Sequence, residues 1–231
     1  MKTSNKLLLG IFLLIILLTT AVQLMVYAKY KRGEYVKFNR EDFNQLTSVE
    51  IPTVRFISIK GLGNCGIMYG DKPKLELQKE HVGPLTYRVV NDTLFIIGDT
   101  TRTINDPERG NRNYTHVKVY LPATVQINAT NSDLRIGGAA DSTSAPSYTV
   151  KLEKDSHLFI NNNAAVYFNQ LNINSDQSKI ELTDHAFING LNVQLINSNL
   201  DDKEAVVRSL TMDADSKSTV TLSGKNIKAL K

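Results

Sequence analysis

The chain has no tryptophan, and its eight phenylalanines and nine tyrosines are thinly spread through 231 residues. It has one cysteine, Cys65, so no internal disulfide can staple an exported fold. No cysteine lies near the N-terminal apolar run, which removes a lipoprotein-type anchor. The histidines His81, His116, His157 and His185 show no H-x-x-x-H spacing, and there is no C-x-x-C partner. Zinc takes three or four ligands, so these residues read as surface or turn histidines. Asp201, Asp202 and Glu204, and Asp213 with Asp215, could attract a cation. Without a D-x-D-x-D-G loop or a glycine-rich nonapeptide they read as solvated turn acids. No G-x-S-x-G is present to raise a serine nucleophile.

Charge of one sign is also scarce. The net charge is +4, and Lys2 and Lys6 supply two of those charges. The local basic cluster at 29–40 adjoins the apolar run, where anionic lipid headgroups are the simplest partner. A nucleic-acid binder needs a clustered basic face, so no nucleic-acid partner is expected. The residues assign no catalytic, cofactor-binding or metal-ligating side chain and call for no cofactor.

The sequence does contain one nucleotide-like motif. GLGNCG at 61–66 follows a strand-like run at 54–59 and fits G-x-G-x-x-G. A dinucleotide turn needs a helix after its last glycine, because the helix N-terminus receives the pyrophosphate. Here IMYGDKP follows, broken by Gly70 and Pro73. The glycines are therefore expected to make a tight connection between strands, supplying positive φ.

Residues 7–28, LLLGIFLLIILLTTAVQLMVYA, carry no charge and follow the basic MKTSNK. As a helix, such a run spans about 33 Å, enough for a hydrocarbon core of about 30 Å. Two readings fit. A retained anchor explains the length, because signal-peptide apolar cores usually stop at about 15 residues. A signal cleaved after Ala28 explains the small-residue ending VYA and the dilution by Thr19, Thr20 and Gln23. Lysines flank both ends, so the positive-inside rule is nearly balanced. The basic-then-apolar layout favours residues beyond 28 lying outside the cytoplasm.

Beyond residue 50 apolar residues alternate with polar ones, the pattern of half-buried strands. Leu75/Leu77, Leu94/Ile96 and Val117/Val119/Leu121 are examples, separated by turn formers at 70–73, 91–92 and 106–107. Residues 103–114 and 139–147 read as polar loops. The C-terminal half repeats. Ser132, Ser156, Ser178, Ser198 and Ser218, spaced by 24, 22, 20 and 20 residues, each precede an alternating apolar pair or single apolar residue. A second pair comes before each serine: Val125/Ile127, Val150/Leu152, Leu171/Ile173, Leu191/Val193 and Leu210/Met212. One such two-strand unit cannot bury its apolar face alone; stacked units form internal ladders with turns in columns outside. A period of 20–24 residues suits one coil of a parallel β-solenoid. An antiparallel sandwich also has strands every 8–12 residues, but the recurring serine register favours the solenoid. In this scheme the serines and Asn161–163, Asn172, Asn174, Asn189, Asn197 and Asn199 occupy turns, where Asn tolerates left-handed backbone. Residues 51–121 form opening coils or a cap.

The expected architecture is all-β: a parallel β-solenoid (β-helix) over 51–231, preceded by one N-terminal transmembrane helix within 1–28 and a basic juxtamembrane linker at 29–50. β-Solenoids include polysaccharide-active enzymes, whose sites need acids gathered with a basic residue. Lys151, Glu153, Lys179, Glu181 and Asp201 alternate outward on neighbouring repeats, but any soluble solenoid face does the same. The tail 225–231 brings three lysines near the last coil, a common block to edge pairing and hence to self-assembly into a scaffold.

The succession VRFISIKGLGNCGIMYGD, LTYRVVNDTLFIIGD, VKVYLPATVQINATNSDLRI and then the serine coils resembles the head-GIN-type auto-transporter adhesin domain of bacterial cell-envelope proteins, over about residues 50–224. The resemblance implies a β-helix exposed beyond the inner membrane with a non-catalytic adhesion role, toward a glycan or envelope protein, and carries no active-site residues. The long apolar leader and the loop at 103–114 depart from it. Intact mass of the native protein from its envelope fraction is expected to begin at Met1; a mass beginning at Lys29 would identify a cleaved signal.

Overall fold

The structure is a computed structural model that describes residues 3–33, 46–78, 85–98, 117–121, 124–160 and 164–231. The chain divides into two units, Met1–Asn44 and Gln45–Lys231.

The first unit holds helix α1 (Thr3–Lys31). Its Leu, Ile, Val and Phe side chains are exposed all round. The hydroxyls of Thr19 and Thr20 donate to the carbonyls of Ile15 and Ile16 at 2.9 and 2.7 Å, so these polar groups are satisfied within the helix. Asn5–Lys31 is long and apolar enough to cross a membrane.

The second unit is built from strands. In chain order they are β1 (Leu46–Glu50), β2 (Phe56–Lys60), β3 (Cys65–Tyr69), β4 (Lys74–Gln78), β5 (Thr86–Val90), β6 (Thr93–Ile97), β7 (Val117–Leu121), β8 (Val125–Thr130) and β9 (Asp133–Ile136). Then come β10 (Ser147–Glu153), β11 (His157–Phe159), β12 (Val166–Asp176), β13 (Lys179–Glu181), β14 (Ala186–Ile196), β15 (Asn199–Asp201), β16 (Val206–Val207), β17 (Leu210–Ala214), β18 (Thr219–Thr221) and the single-turn α2 (Gly224–Ile227). The first strand lies inside the stretch read from sequence as linker: LTSVE is too short and half-exposed to show a clear alternation.

Two sheets face each other. The first runs β1-β4-β7-β3-β9-β11-β13-β15-β18 and the second β16-β14-β12-β10-β8-β2-β6-β5, with β17 also on β14. From β8 onward each coil places one strand in the second sheet and the next strand in the first, paired in parallel with the coils on either side. This is the expected parallel β-solenoid. Inward side chains form continuous columns, such as Leu94, Ile57, Ile127, Val150, Ile173 and Val193, all buried. Opposite them stand Val117, Cys65, Leu134, Leu158, Ile180 and Leu200. The register corrects one alignment: Val150 partners Ile127 and Tyr148 partners Val125, so Leu152 falls beside Ala129. A slip of two residues keeps every side chain on its face, and the aromatic at 148 hid the true pair.

The opening stretch is a coil and a cap in an unexpected order. β2 and β3 stack directly under β8 and β9, while the later β6 and β7 lie on their far side. Antiparallel β4 and β5 then cover that end, and β1 covers β4. The hairpin between β5 and β6 turns at Asn91 and Asp92, both at positive φ (46° and 59°), the backbone that two-residue hairpins require. GLGNCG is the corner between β2 and β3, with Gly61 at φ 66°. No helix follows it.

Corners, not outer turns, are where the repeated serines work. Ser132, Ser156, Ser178 and Ser198 are buried, which corrects the reading of them as turn residues on the outside. Asn131, Asp155, Gln177 and Asn197, the residues just before them, all have positive φ between 46° and 58°. That kink swings the chain from the second sheet to the first and turns each serine inward. The N–H groups of Leu62, Ser132, Ser156, Ser178 and Ser198 donate to the Oγ of the serine one coil further on, at 3.1–3.3 Å. Each buried Oγ in turn donates to a carbonyl two or three residues back in its own coil, at 2.7–2.9 Å. A hydroxyl is one donor and a two-fold acceptor, so one small side chain satisfies both ends of the corner. Of the asparagines expected in turns, Asn197 is at a corner, Asn172, Asn174, Asn189 and Asn199 lie within strands, and Asn161–163 fall outside the described residues. Ser178→Ala leaves the buried Ser156 N–H without its acceptor. It is expected to lower unfolding stability by about 1–3 kcal/mol in chemical denaturation, and a change under about 0.5 kcal/mol would remove the serine column as a structural device.

Candidate functional site

Because inward positions are filled by the core, any site must use the outward columns. On the second sheet one column reads Gln126, Thr149, Asn172, Asn192 and Thr211, with no charge in five coils. The next reads Asn128, Lys151, Asn174, Gln194 and Asp213. Parallel pairing sets neighbouring members about 4.8 Å apart. Asn192 Nδ2 donates to Asn172 Oδ1 at 2.8 Å, and Gln170 Nε2 donates to the same oxygen at 3.2 Å. Gly190 gives Gln170 its room: a Cβ there would meet Gln170 Oε1. Beside this amide face Tyr167 and Phe187 stack at 5.1 Å with 21° between their planes.

The outward face of the first sheet is charged and self-paired. Its columns include Asp133, His157, Lys179 and Asn199, and beside them Arg135, Phe159, Glu181 and Asp201. Lys179 bridges Glu181 at 2.8 Å and Lys203 bridges Asp201 at 2.8 Å, while on the other sheet Lys151 bridges Glu153 at 2.6 Å. So the five charged residues that looked like one outward group divide between two faces: Lys151 and Glu153 on one, Lys179, Glu181 and Asp201 on the other. Each lysine holds its acid's pKa down through a side-chain hydrogen bond: Lys151 on Glu153, Lys179 on Glu181 and Lys203 on Asp201. A sugar hydrolase of the two-carboxylate kind needs one carboxyl pushed up to act as acid. These three are all pushed the other way.

The remaining candidates resolve as follows. His157 is half-buried on the outward face of the first sheet, between Asp133 and Lys179 in its column; burial pushes its pKa down, against the pull of Glu181 and Asp133. His185 lies beside Asp184, and His81 and His116 are outside the described residues. Among the described residues no three His, Cys, Asp or Glu side chains gather to hold a metal. Burial pushes the Cys65 thiol up to about 12, so it stays protonated and unreactive. Asp215 accepts from the Asn197 N–H at 3.1 Å and the Ser218 hydroxyl at 2.6 Å, ending the serine column. Asp213 points outward from β17.

Asp202 is not a solvated turn acid: it is buried, and it organises the C-terminal end of the solenoid. Its Oδ2 accepts from Ser223 N–H at 2.7 Å, Ser223 Oγ at 2.9 Å and Asn226 Nδ2 at 2.7 Å; its Oδ1 accepts from Glu204 N–H at 2.9 Å. Buried Asn226 passes the link on, donating to the Ala205 carbonyl at 2.8 Å and accepting from Val207 N–H at 3.2 Å. The tail then lays Leu230 beside Leu210, covering that edge. Burial raises the Asp202 pKa, but the donors from Ser223, Asn226 and Glu204 outweigh it, and the net shift is downward. A depressed carboxyl stabilises the fold above its unfolded value of about 3.9 and loses that contribution as pH falls through its folded value. Asp202→Asn, which faces N–H donors with an amide, is expected to cost about 1–3 kcal/mol at neutral pH. The gap between variant and wild type in thermal unfolding should narrow below pH about 4; a gap that stays constant would show that the carboxylate charge is not what the cap uses.

No protein-family model matches the chain, and no curated protein matches it. Solved structures similar to it are of bacterial origin. A candidate adhesin of Parabacteroides merdae is 13% identical with a TM-score of 0.41, over 77% of this chain and 80% of that one. A candidate adhesin of Parabacteroides distasonis is 10% identical with a TM-score of 0.42, over 73% and 77%. A candidate cell adhesion protein of Clostridium sporogenes is 8% identical with a TM-score of 0.35, over 76% and 95%.

Proposed function

We propose that this chain is a non-catalytic binding module of the bacterial cell envelope, related to the head-GIN-type adhesin domains. In this reading α1 tethers it to the inner membrane, with the solenoid outside the cytoplasm. The amide face of the second sheet engages an extended partner, an envelope glycan or envelope protein. The observation that carries the reading is the column Gln126, Thr149, Asn172, Asn192 and Thr211: donors and acceptors in register on five coils, without charge. Amides and hydroxyls both give and accept hydrogen bonds, which suits hydroxyl-rich polymers and backbone edges alike. The rigid stack holds them in place before binding, so little ordering entropy opposes association. Downward-shifted, lysine-paired carboxyls support the non-catalytic part.

The test is titration calorimetry of the full chain in lipid nanodiscs against envelope polysaccharide fractions and envelope proteins. Binding is expected, and replacing Asn172 and Asn192 together by Asp should weaken it at least about tenfold, or 1.4 kcal/mol. Absence of affinity for every glycan and protein of the envelope would sink the reading.

A further inference from the structure

The charged face of the first sheet breaks its own pattern at one place. Next to Arg135 the column holds Gly66, which brings no side chain of its own, and the Met68 and Lys118 side chains lie over it. The corner before it also carries one residue more than its neighbour: Lys60 pairs with Thr130 and Cys65 with Leu134, leaving four residues against three. A depression of about 450 Å³ opens there, lined by Asn64, Asp133, Arg135, His157, Phe159 and Glu181 among others. Three successive coils contribute to it, and so does the corner of a fourth.

Its chemistry is mixed in a particular way. The Arg135 guanidinium lies 4.6 Å from the centre of the Phe159 ring, and the His157 ring lies 5.1 Å from it at 45°. Glu181 is held with Oε1 on Lys179 at 2.8 Å and Oε2 3.2 Å from His157 Nε2. Arg135 Nε is shielded from water and has no hydrogen-bond acceptor in the protein. His157 Nε2, also shielded, lies near Glu181 but off the line of a hydrogen bond. A buried guanidinium donor left in this state is costly, and an incoming oxygen would satisfy it. The Asp133 and Glu181 carboxylates are matched by Arg135 and by Lys179 on Glu181, so the charges here balance, as suits a neutral ligand.

We infer that this depression is a binding site for one neutral pyranose ring, a sugar residue free or within a glycan. The hydroxyls of such a ring donate to the Asp133 and Glu181 carboxylates and accept from Arg135, while its C–H groups lie against the part of Phe159 that Arg135 leaves uncovered. A volume of this order is at the small end of ligand sites. The inference goes beyond the amide face and does not require it, because the two sites lie on different sheets.

The full chain in lipid nanodiscs is titrated with the methyl β-glycosides of glucose, galactose, mannose and N-acetylglucosamine, following the His157 ring resonances by NMR. At least one glycoside is expected to shift them saturably, with millimolar affinity. Phe159→Ala and Arg135→Lys should each weaken that binding at least tenfold. Lysine keeps the charge but lacks the Nε donor and the planar stack, so its loss of binding is not a loss of charge balance. The Asn172 and Asn192 double replacement should leave the shift unchanged, which separates this site from the amide face. No shift with any of the four glycosides would overturn the inference. So would a shift produced by inorganic phosphate and not by the glycosides, or one that survives Phe159→Ala.

Discussion

A parallel solenoid has no hairpin to fix how one coil sits on the next, so the register must come from somewhere inside the stack. In this chain it comes from a buried hydroxyl at one corner. Each serine Oγ accepts the N–H of the preceding coil and donates to its own backbone. The corner geometry is thereby tied to the inter-coil register, and every inward column follows from it. Slipping a coil by one residue would turn its apolar set outward and leave the serine N–H groups orphaned together. The buried columns and the serine column therefore favour the same arrangement, which is how a long stack avoids alternatives.

The ends pose the opposite problem, because a stack of parallel strands stops with unpaired edges. The molecule solves it differently at each end. At the start, the chain leaves the coil of β2 and β3, lays down antiparallel β4 and β5, and returns through β6 and β7 before continuing. At the finish, one buried carboxylate gathers three donors from the last turn of chain, with a fourth from Glu204 beside it, and draws the tail over β17. Antiparallel pairing at one end and a polar knot at the other both consume backbone groups that a further coil would otherwise need.

Much of this was legible in the residues, and what was not has identifiable causes. The alternation, the five serine positions and the rejection of GLGNCG as a nucleotide turn rest on periodicity, which is local. The serine's burial was not visible, because a serine in a loop and a serine in a corner ladder read alike; its recurrence before an apolar column was the available signal. Asn172, Asn174, Asn189 and Asn199 misled because Asn favours turns in general, whereas here they lie within strands, and Asn172 bonds Asn192 on the next coil. The grouping of Lys151 and Glu153 with Lys179 and Glu181 failed for a topological reason. The positive-φ corner at Lys154 and Asp155 sends consecutive strands of one repeat to different sheets. The depression at Arg135 depends on the corner at Asn64 in one coil meeting an arginine of the next coil far along the chain, and no local pattern encodes that.

The same constraint that builds the stack decides where function can lie. Inward positions must stay apolar and in register, and corner positions must supply the hydroxyl and the left-handed residue before it. Only the outward positions are free, and the two sheets use that freedom differently. The first sheet spends its charges on pairs along a strand, two residues apart, which neutralise each other and leave little field to attract a distant partner. The second presents amides and hydroxyls that no lysine occupies in the Asn172 column. A partner with a repeat near the strand spacing can bond that column several times over, each bond weak, with the stack already rigid. Affinity for such a partner would then grow with its length rather than with the depth of any pocket. The Arg135 depression, lined from several coils at once, follows the other logic: the single ring inferred for it would be bonded by all of them together.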